Sequence, residues 1–260
     1  MIFTTKNKTT PYSRAAGKVL AVLFWVAVWQ ILYMIIRQEI LIVSPARVMQ
    51  RISELAVSGE FWTSALNSIL HVLWGFFFGV AAGVLFAVLT SFSKALNDLF
   101  YPLLSMIKAT PVVSFIILAL VWIRSDHVPA FTAFLEVTPI VLGNVANGIA
   151  KTDCGLLQMA RCYRFGVFRT VRRVYIPSVM PYFTAACTTG MGLAWKTAIA
   201  AEVLANTVLS IGGHIYDSKV YLETADLFAW TTVVILLSVI LERMMVSLMK
   251  KIGKRYNVTL

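Results

Sequence analysis

Residues 65–90 read ALNSILHVLWGFFFGVAAGVLFAVLT, without a single Asp, Glu, Lys or Arg. About 20 consecutive apolar residues are what a helix needs to cross the hydrocarbon of a bilayer, and a water-soluble core rarely uses so long a run. Within it Gly75, Gly79 and Gly83 recur at every fourth position. That spacing puts them on one helical face, where missing side chains let a neighbouring helix approach closely. The glycines read as a helix contact rather than as chemistry.

Comparable runs lie on either side, at 19–36, 101–123, 129–150, 177–204 and 227–248. Together they predict an all-α, polytopic membrane protein with about six spans. Composition agrees: 59% of the 260 residues are hydrophobic and 13% charged, with a mean hydropathy of +0.79. A soluble domain carries about a quarter charged residues, so this chain lacks the polar surface to cover itself in water. The run at 19–36 follows a basic tail and is longer than a secretory signal core. No small-residue cleavage pattern follows it, so it reads as a retained span. Residues 44–59, opened by Ser44-Pro45, are amphipathic and too polar to span.

The formal charge of +11 suggests nucleic acid until the basic residues are placed. With both termini on the cytoplasmic side, 16 Lys and Arg fall in inner segments and 5 in outer ones. Cytoplasmic loops of membrane proteins carry such an excess, so the charge reports orientation and no nucleic-acid partner is expected. The expected organisation is a cytoplasmic tail at 1–18, a transmembrane domain at 19–250 with an inner loop at 151–176, and a cytoplasmic tail at 251–260. Cys154, Cys162 and Cys187 form no C-x-x-C pair, and His71, His127 and His214 are scattered. Neither a metal site nor a cofactor is expected. Pro111 and Pro139 fall within predicted spans, where the carbonyls they free must face protein or a polar cavity. They mark either a path through the bundle or simple kinks.

The inner loop reads TDCGLLQMARCYRFG over 152–166 and VFRTVRRVYIP over 167–177. Asp153 is placed to cap a short helix and Gly166 to end it in a left-handed conformation. Leu156, Leu157, Met159, Ala160 and Tyr163 gather on one side of that helix. Such a face either rests on anionic lipid or docks into a partner's groove.

This loop resembles the EAA motif of binding-protein-dependent ABC importer permeases, in the branch that moves nitrate, sulfonates, taurine and pyrimidine vitamin precursors. The likeness rests on Leu156-Leu157, Ala160-Arg161, Phe168, Val171, Val174 and Ile176-Pro177, with Pro181. It extends to Ser44-Pro45 with Val48, Pro102 with Lys108-Ala-Thr-Pro111, Ala200-Ala-Glu202 and residues 212–222. Gln158, Met159 and Arg164 stand where the family usually has Glu, Ala and Gly. The resemblance implies a type I ABC importer-like transmembrane domain in the bacterial cytoplasmic (inner) membrane. It also implies two cytoplasmic ATP-binding subunits, a second permease copy (as a homodimer) and an extracytoplasmic substrate-binding protein. Leu156, Leu157, Gln158, Met159, Ala160, Arg161, Tyr163 and Gly166 would then couple the chain to its ATPase. The substrate would be a small organic solute, sulfonate-, taurine- or nitrate-like or an amine-bearing vitamin precursor.

Four ionisable residues fall within the predicted spans at 101–123, 129–150 and 177–204: Lys108, Glu136, Lys196 and Glu202. Burial at the bilayer centre costs about 2.5–3.5 kcal/mol each on insertion scales, so each should face protein or a cavity. They either neutralise one another in ion bridges or line the translocation path or its gate. Glu136, near mid-membrane, would favour a cationic or amine-bearing substrate.

Other classes fit less well. An ion-coupled secondary carrier predicts inverted repeats, which the sequence does not display. An intramembrane enzyme needs a nucleophile–base or metal constellation. The nearest approach to a phosphate loop, Gly190 to Thr197, has Trp195 where Gly must precede Lys196, so ATP belongs to a separate subunit.

Overall fold

A computed structural model describes residues 11–255. Lys6, Lys8, the side chains of Arg14 and Lys18, and residues 256–260 of the expected tails lie outside the described part. The elements described are helical: α1 (Pro11–Ile36), α2 (Pro45–Ala56), α3 (Gly59–Phe92), α4 (Lys94–Ala109), α5 (Val112–Trp122), α6 (Val128–Ala150), α7 (Cys154–Cys162), α8 (Val167–Thr170), α9 (Ile176–Ala205), α10 (Ile211–Val220) and α11 (Thr224–Arg255). A 3-10 turn precedes α6, and a π-helical segment at Val171–Tyr175 joins α8 to α9.

The centre of the bundle is α6 packed between α3 and α9. The glycines of α3 make this possible. A Cβ on Gly79 would stand 2.8 Å from Val137 Cβ, and one on Gly83 would stand 2.7 Å from Val141 Cβ. Val137, Val141, Ala133, Ala186, Ala194 and Ala198 are fully buried in the same core. Small residues and glycines therefore seat the three helices backbone to backbone, as helix association in lipid demands.

The expected span at 101–123 is corrected. The chain instead forms α4 and α5, with axes that turn by 106° at Thr110-Pro111. Thr110 takes extended backbone angles (φ −82°, ψ 133°), as a residue before proline must when the ring crowds it out of the helical region. Pro139, by contrast, stays inside an unbroken α6.

Apolarity alone accounts for fewer than the six expected spans. By length and composition four helical stretches can cross a membrane: Val19–Ile36, Gly59–Phe92, Ser125–Ala150 and Thr224–Lys254. The bent pair raises this to five if it counts as one span. The remaining expected span falls in α9, 30 residues long and rich in Thr, Ala and Gly. It packs against α3, α5, α6, α10 and α11. A helix walled by protein needs no strongly apolar surface, so α9 is the one that apolarity alone misses.

The helix α2 starts as Ser44-Pro45 predicts. Ser44 Oγ accepts the Arg47 N–H at 3.2 Å, and Pro45 occupies the first helical turn. The Arg51 guanidinium grips the Asp226 carboxylate at the start of α11 through two nitrogens, with Nη2 to Oδ2 at 2.9 Å. Trp29 Nε1 donates to Val43 O at 3.1 Å, and its ring stacks on Phe228. These contacts hold α1, α2 and α11 together.

Candidate functional site

The inner loop presents a short helix fixed at both ends. Asp153 Oδ1 accepts the Gly155 N–H at 2.7 Å, the cap expected from the sequence. At the other end the Phe165 N–H donates to Ala160 O at 2.8 Å and the Arg164 N–H to Arg161 O at 3.0 Å. This nested pair is a Schellman closure, which places its left-handed residue just beyond the helix. That residue is Arg164, at φ 52°. Gly166 instead has φ −65° and precedes α8, which corrects the expectation that it ends α7. A side chain in the left-handed region costs about 1–2 kcal/mol, so the turn is kept at a position where Gly would be unstrained.

The expected apolar face divides. Ala160 is 2% exposed, Leu157 is half-buried, and both turn inward. Leu156, Met159 and Tyr163 face outward, joined by Val167 and Phe168, which are 84% and 77% exposed. Gln158, Arg161 and Gly166 are exposed among them. Val167 and Phe168 were not anticipated as part of this surface. Their signal is two adjacent large apolar residues opening an otherwise basic helix.

The four intramembrane charges do not pair with one another among the described residues. Glu202 is fully buried, and its partners lie elsewhere. Its Oε2 accepts from Ser68 Oγ at 2.7 Å and from the Gly212 N–H at 3.1 Å, while Oε1 lies 2.9 Å from His71 Nδ1. Ser68 Oγ also accepts the Ile211 N–H at 3.0 Å. Nearby, Ser64 Oγ lies 2.9 Å from His214 Nε2, and the His214 ring lies flat on Trp230 at 4.6 Å. Glu202 therefore ties α3, α9 and the first turn of α10 into one knot. Charge stabilisation comes from two N–H or O–H donors and an imidazole, in place of the expected lysine. His71 bonds from α3 to α9, whereas Asn144 Nδ2 donates to Ile140 O of its own helix.

The other three charges are accessible. Lys196 stands exposed on α9, beside a crevice of about 420 Å³ shared with α11 and lined by Trp195, Ile199, Val234 and Ser238. Lys108 is exposed on α4, with Nζ near Gly143 of α6. Glu136 is half-buried on α6 and makes no hydrogen bond or ion pair among the described residues. Trp195 Nε1 is buried without a partner.

Outside the membrane, hydrogen bonds from Arg51 and then Gln50 hold the Glu54 carboxyl below its usual range. Among the described residues no group of His, Cys, Asp and Glu is arranged to hold a metal ion.

Comparison with known proteins places this arrangement. SsuC of Bacillus subtilis (strain 168), described as an aliphatic sulfonates transport permease, is 26% identical over 210 residues, covering 78% of this chain and 74% of its own. The bicarbonate transport system permease CmpB of Synechococcus elongatus is 26% identical over 161 residues, 62% of this chain and 58% of its own. A solved structure titled as an amino acid ABC transporter with histidines shares the fold at a TM-score of 0.62. It has 15% sequence identity and spans 78% of this chain and 97% of its own. Residues 79–254, which hold the loop at 151–176, Glu136, Lys196 and Glu202, match the model of one family. The chain belongs to that family, the inner membrane components of binding-protein-dependent transport systems.

Proposed function

We propose that the chain forms the translocation path of an ATP-driven importer for a small anion, and that α7 with the first turn of α8 carries the stroke of a separate ATPase. Permeases of this family are non-enzymatic membrane subunits that work with ATP-binding subunits and a substrate-binding protein. The observation that carries the coupling reading is the capped α7, which holds Leu156, Met159, Tyr163, Val167 and Phe168 outward from a basic loop. Five apolar side chains held in water by a rigid mount suit insertion into a groove on a soluble partner.

The substrate reading follows from the disposition of charge. Glu202 is fully buried and hydrogen-bonded inside the protein, so it presents no accessible carboxylate. Lys108 and Lys196 remain accessible against one half-buried Glu136. The relatives named for sulfonate and bicarbonate move anions, and a path with this balance favours the same sign. Unpaired Glu136 supports a second reading, in which an amine-bearing substrate is taken. Two copies related by a two-fold axis along the membrane normal would complete the path, with both termini inside.

The test is uptake into proteoliposomes containing the chain, its ATP-binding subunit and its binding protein. Sulfonates or bicarbonate should raise ATP hydrolysis, and Lys196→Gln should lower uptake by tenfold or more without changing assembly. If cationic amines alone stimulate the complex, and Glu136→Gln abolishes that response, the anion reading is wrong. ATP hydrolysis indifferent to Tyr163→Asp would remove the coupling role.

A further inference from the structure

The helix α9 holds a donor that the protein leaves without an acceptor. Trp195 is 1% exposed, and its indole N–H is the one buried side-chain polar group among the described residues with no hydrogen-bond partner. Folded proteins pair nearly all such groups, so an exception calls for a partner from outside the chain. The indole forms part of the wall of the crevice of about 420 Å³ between α9 and α11. Two more polar side chains line it, Lys196 and Ser238, and neither makes a hydrogen bond or ion pair among the described residues. The rest of the wall is apolar, with Ile199, Val234 and Val239. All three polar groups donate, and no carboxylate or amide side chain lines the crevice to receive them. The crevice also lies deep. Val234 stands midway between Asp226 and Glu242, the charged residues that bound the apolar run of α11, about 12 Å from each along the helix.

We propose that this crevice binds the charged group of the transported solute, and that the solute is an organic anion with an aliphatic chain. Lys196, the Trp195 indole N–H and the Ser238 hydroxyl receive the anionic oxygens, while the chain lies against Ile199, Val234 and Val239. The apolar wall is what narrows the class. An inorganic oxyanion offers oxygens to the donors but no hydrocarbon for the apolar side chains to cover. Trp195 is covered in the present conformation, so its N–H meets the acceptor as α9 and α11 part. Binding then favours the parted arrangement, because that bond exists only there.

Other occupants fit the crevice less well. A bilayer phospholipid carries its phosphate in the headgroup layer, outside the hydrocarbon in which these donors lie. A cationic amine would meet Lys196 with like charge and find no carboxylate in the wall. An anion with an apolar tail matches both the donors and the surface between them.

The inference rests on the reading of the chain as a path for anions, and the test separates the two. The purified complex with its ATP-binding subunit is melted with butanesulfonate, sulfate or butylamine, and the midpoint is followed against concentration. Butanesulfonate should raise the midpoint, and sulfate and butylamine should not. Trp195→Phe keeps the ring and removes the donor. Without ligand it should melt no lower than the parent, since only an unpaired donor is lost. Its half-saturating concentration of butanesulfonate should rise about tenfold or more, as for loss of a hydrogen bond to a charged group. Ser238→Ala should raise it as well. A purely structural Trp195 gives the opposite pattern, a lower midpoint without ligand and an unchanged half-saturating concentration. That pattern overturns the site and leaves the anion reading standing. Sulfate as effective as butanesulfonate overturns the aliphatic class and also leaves the anion reading standing. A response to butylamine alone overturns the anion reading, and the site with it. No response to any of the three, or a disulfide between copies of a Ser238→Cys variant, overturns the site.

Discussion

The backbone N–H of Gly212 donates to the carboxylate of Glu202 at 3.1 Å, and the two residues are so close that a Cβ on Gly212 would overlap the Glu202 side chain. One contact thus joins the end of the central helix to the first turn of α10. The α10 helix is flanked by left-handed residues, Leu209 at φ 50° before it and Leu222 at φ 59° after it. Its position therefore depends on this anchorage more than on the connections.

Gly212→Ala should be more damaging than Glu202→Gln. The Cβ must push α10 off the bundle, an overpacking cost of about 1–3 kcal/mol. The Gln amide keeps the shape and can still accept from one donor. Thermal unfolding of the detergent-purified chain should rank Gly212→Ala below Glu202→Gln, and both below the parent. Equal midpoints for all three would show that the contact contributes nothing.

Arg164→Gly should stabilise the inner loop. It removes the left-handed strain of about 1–2 kcal/mol while leaving the Phe165-to-Ala160 hydrogen bond in place. Reduced amide exchange at Arg164 and Phe165 is the expected signature. Faster exchange there would mean that the guanidinium supports the turn in a way the geometry does not reveal.

Tyr163→Asp combined with Phe168→Asp should uncouple transport without unfolding the chain. Both side chains are largely exposed, and surface substitutions of this kind shift stability by about 0.5 kcal/mol or less. Stimulation of ATP hydrolysis by loaded binding protein should fall to the unstimulated level, with the melting midpoint unchanged. Ala160→Asp should instead destabilise the loop, because Ala160 is buried beneath the helix.

Arg51→Ala should loosen the outer clamp by about 1.5–3 kcal/mol, the usual worth of hydrogen bonds to charged groups. Acid should act at the same place. The Glu54 carboxyl is held below its ordinary value of 4.5 by Arg51 and Gln50. Its contribution is complete above that value and fades as pH falls through the lowered one. Amide exchange in α2 should therefore quicken in Arg51→Ala at neutral pH, and in the parent only as the pH falls past the lowered value of the Glu54 carboxyl.

Much of this architecture is written locally. The four-residue glycine period of α3, the Ser44-Pro45 start of α2 and the Asp153 cap each depend on residues a few positions apart, and each is found where the sequence puts it. The break at Thr110-Pro111 was half legible, because proline announces a disturbance without saying whether the helix bends or stops. The partners of Glu202 were not legible. Ser68 and His71 lie 134 and 131 positions away, and nothing local distinguishes a carboxylate that seeks a lysine from one that seeks a serine, an imidazole and an amide. Sequence pattern also overstated the apolar face of α7. Helical spacing groups Leu157 and Ala160 with Tyr163, while the direction of the bundle decides which of them is covered.

The helical connection from Val167 to Ala205 has a mechanical consequence. Thr170, Val171, Tyr175 and Ile176 all keep right-handed helical angles, so α8, the π segment and α9 run on without a hinge. They form one continuous helical path, about 50 Å along its axis, from the exposed Phe168 to the buried Glu202. A rocking of this path by about 5° around its middle would carry each end about 2 Å, nearly the length of a hydrogen bond. If the loop at 153–166 takes the stroke of an ATPase, as proposed above, a push there would reach the Glu202 knot along the helix itself, with no relay of side chains in between.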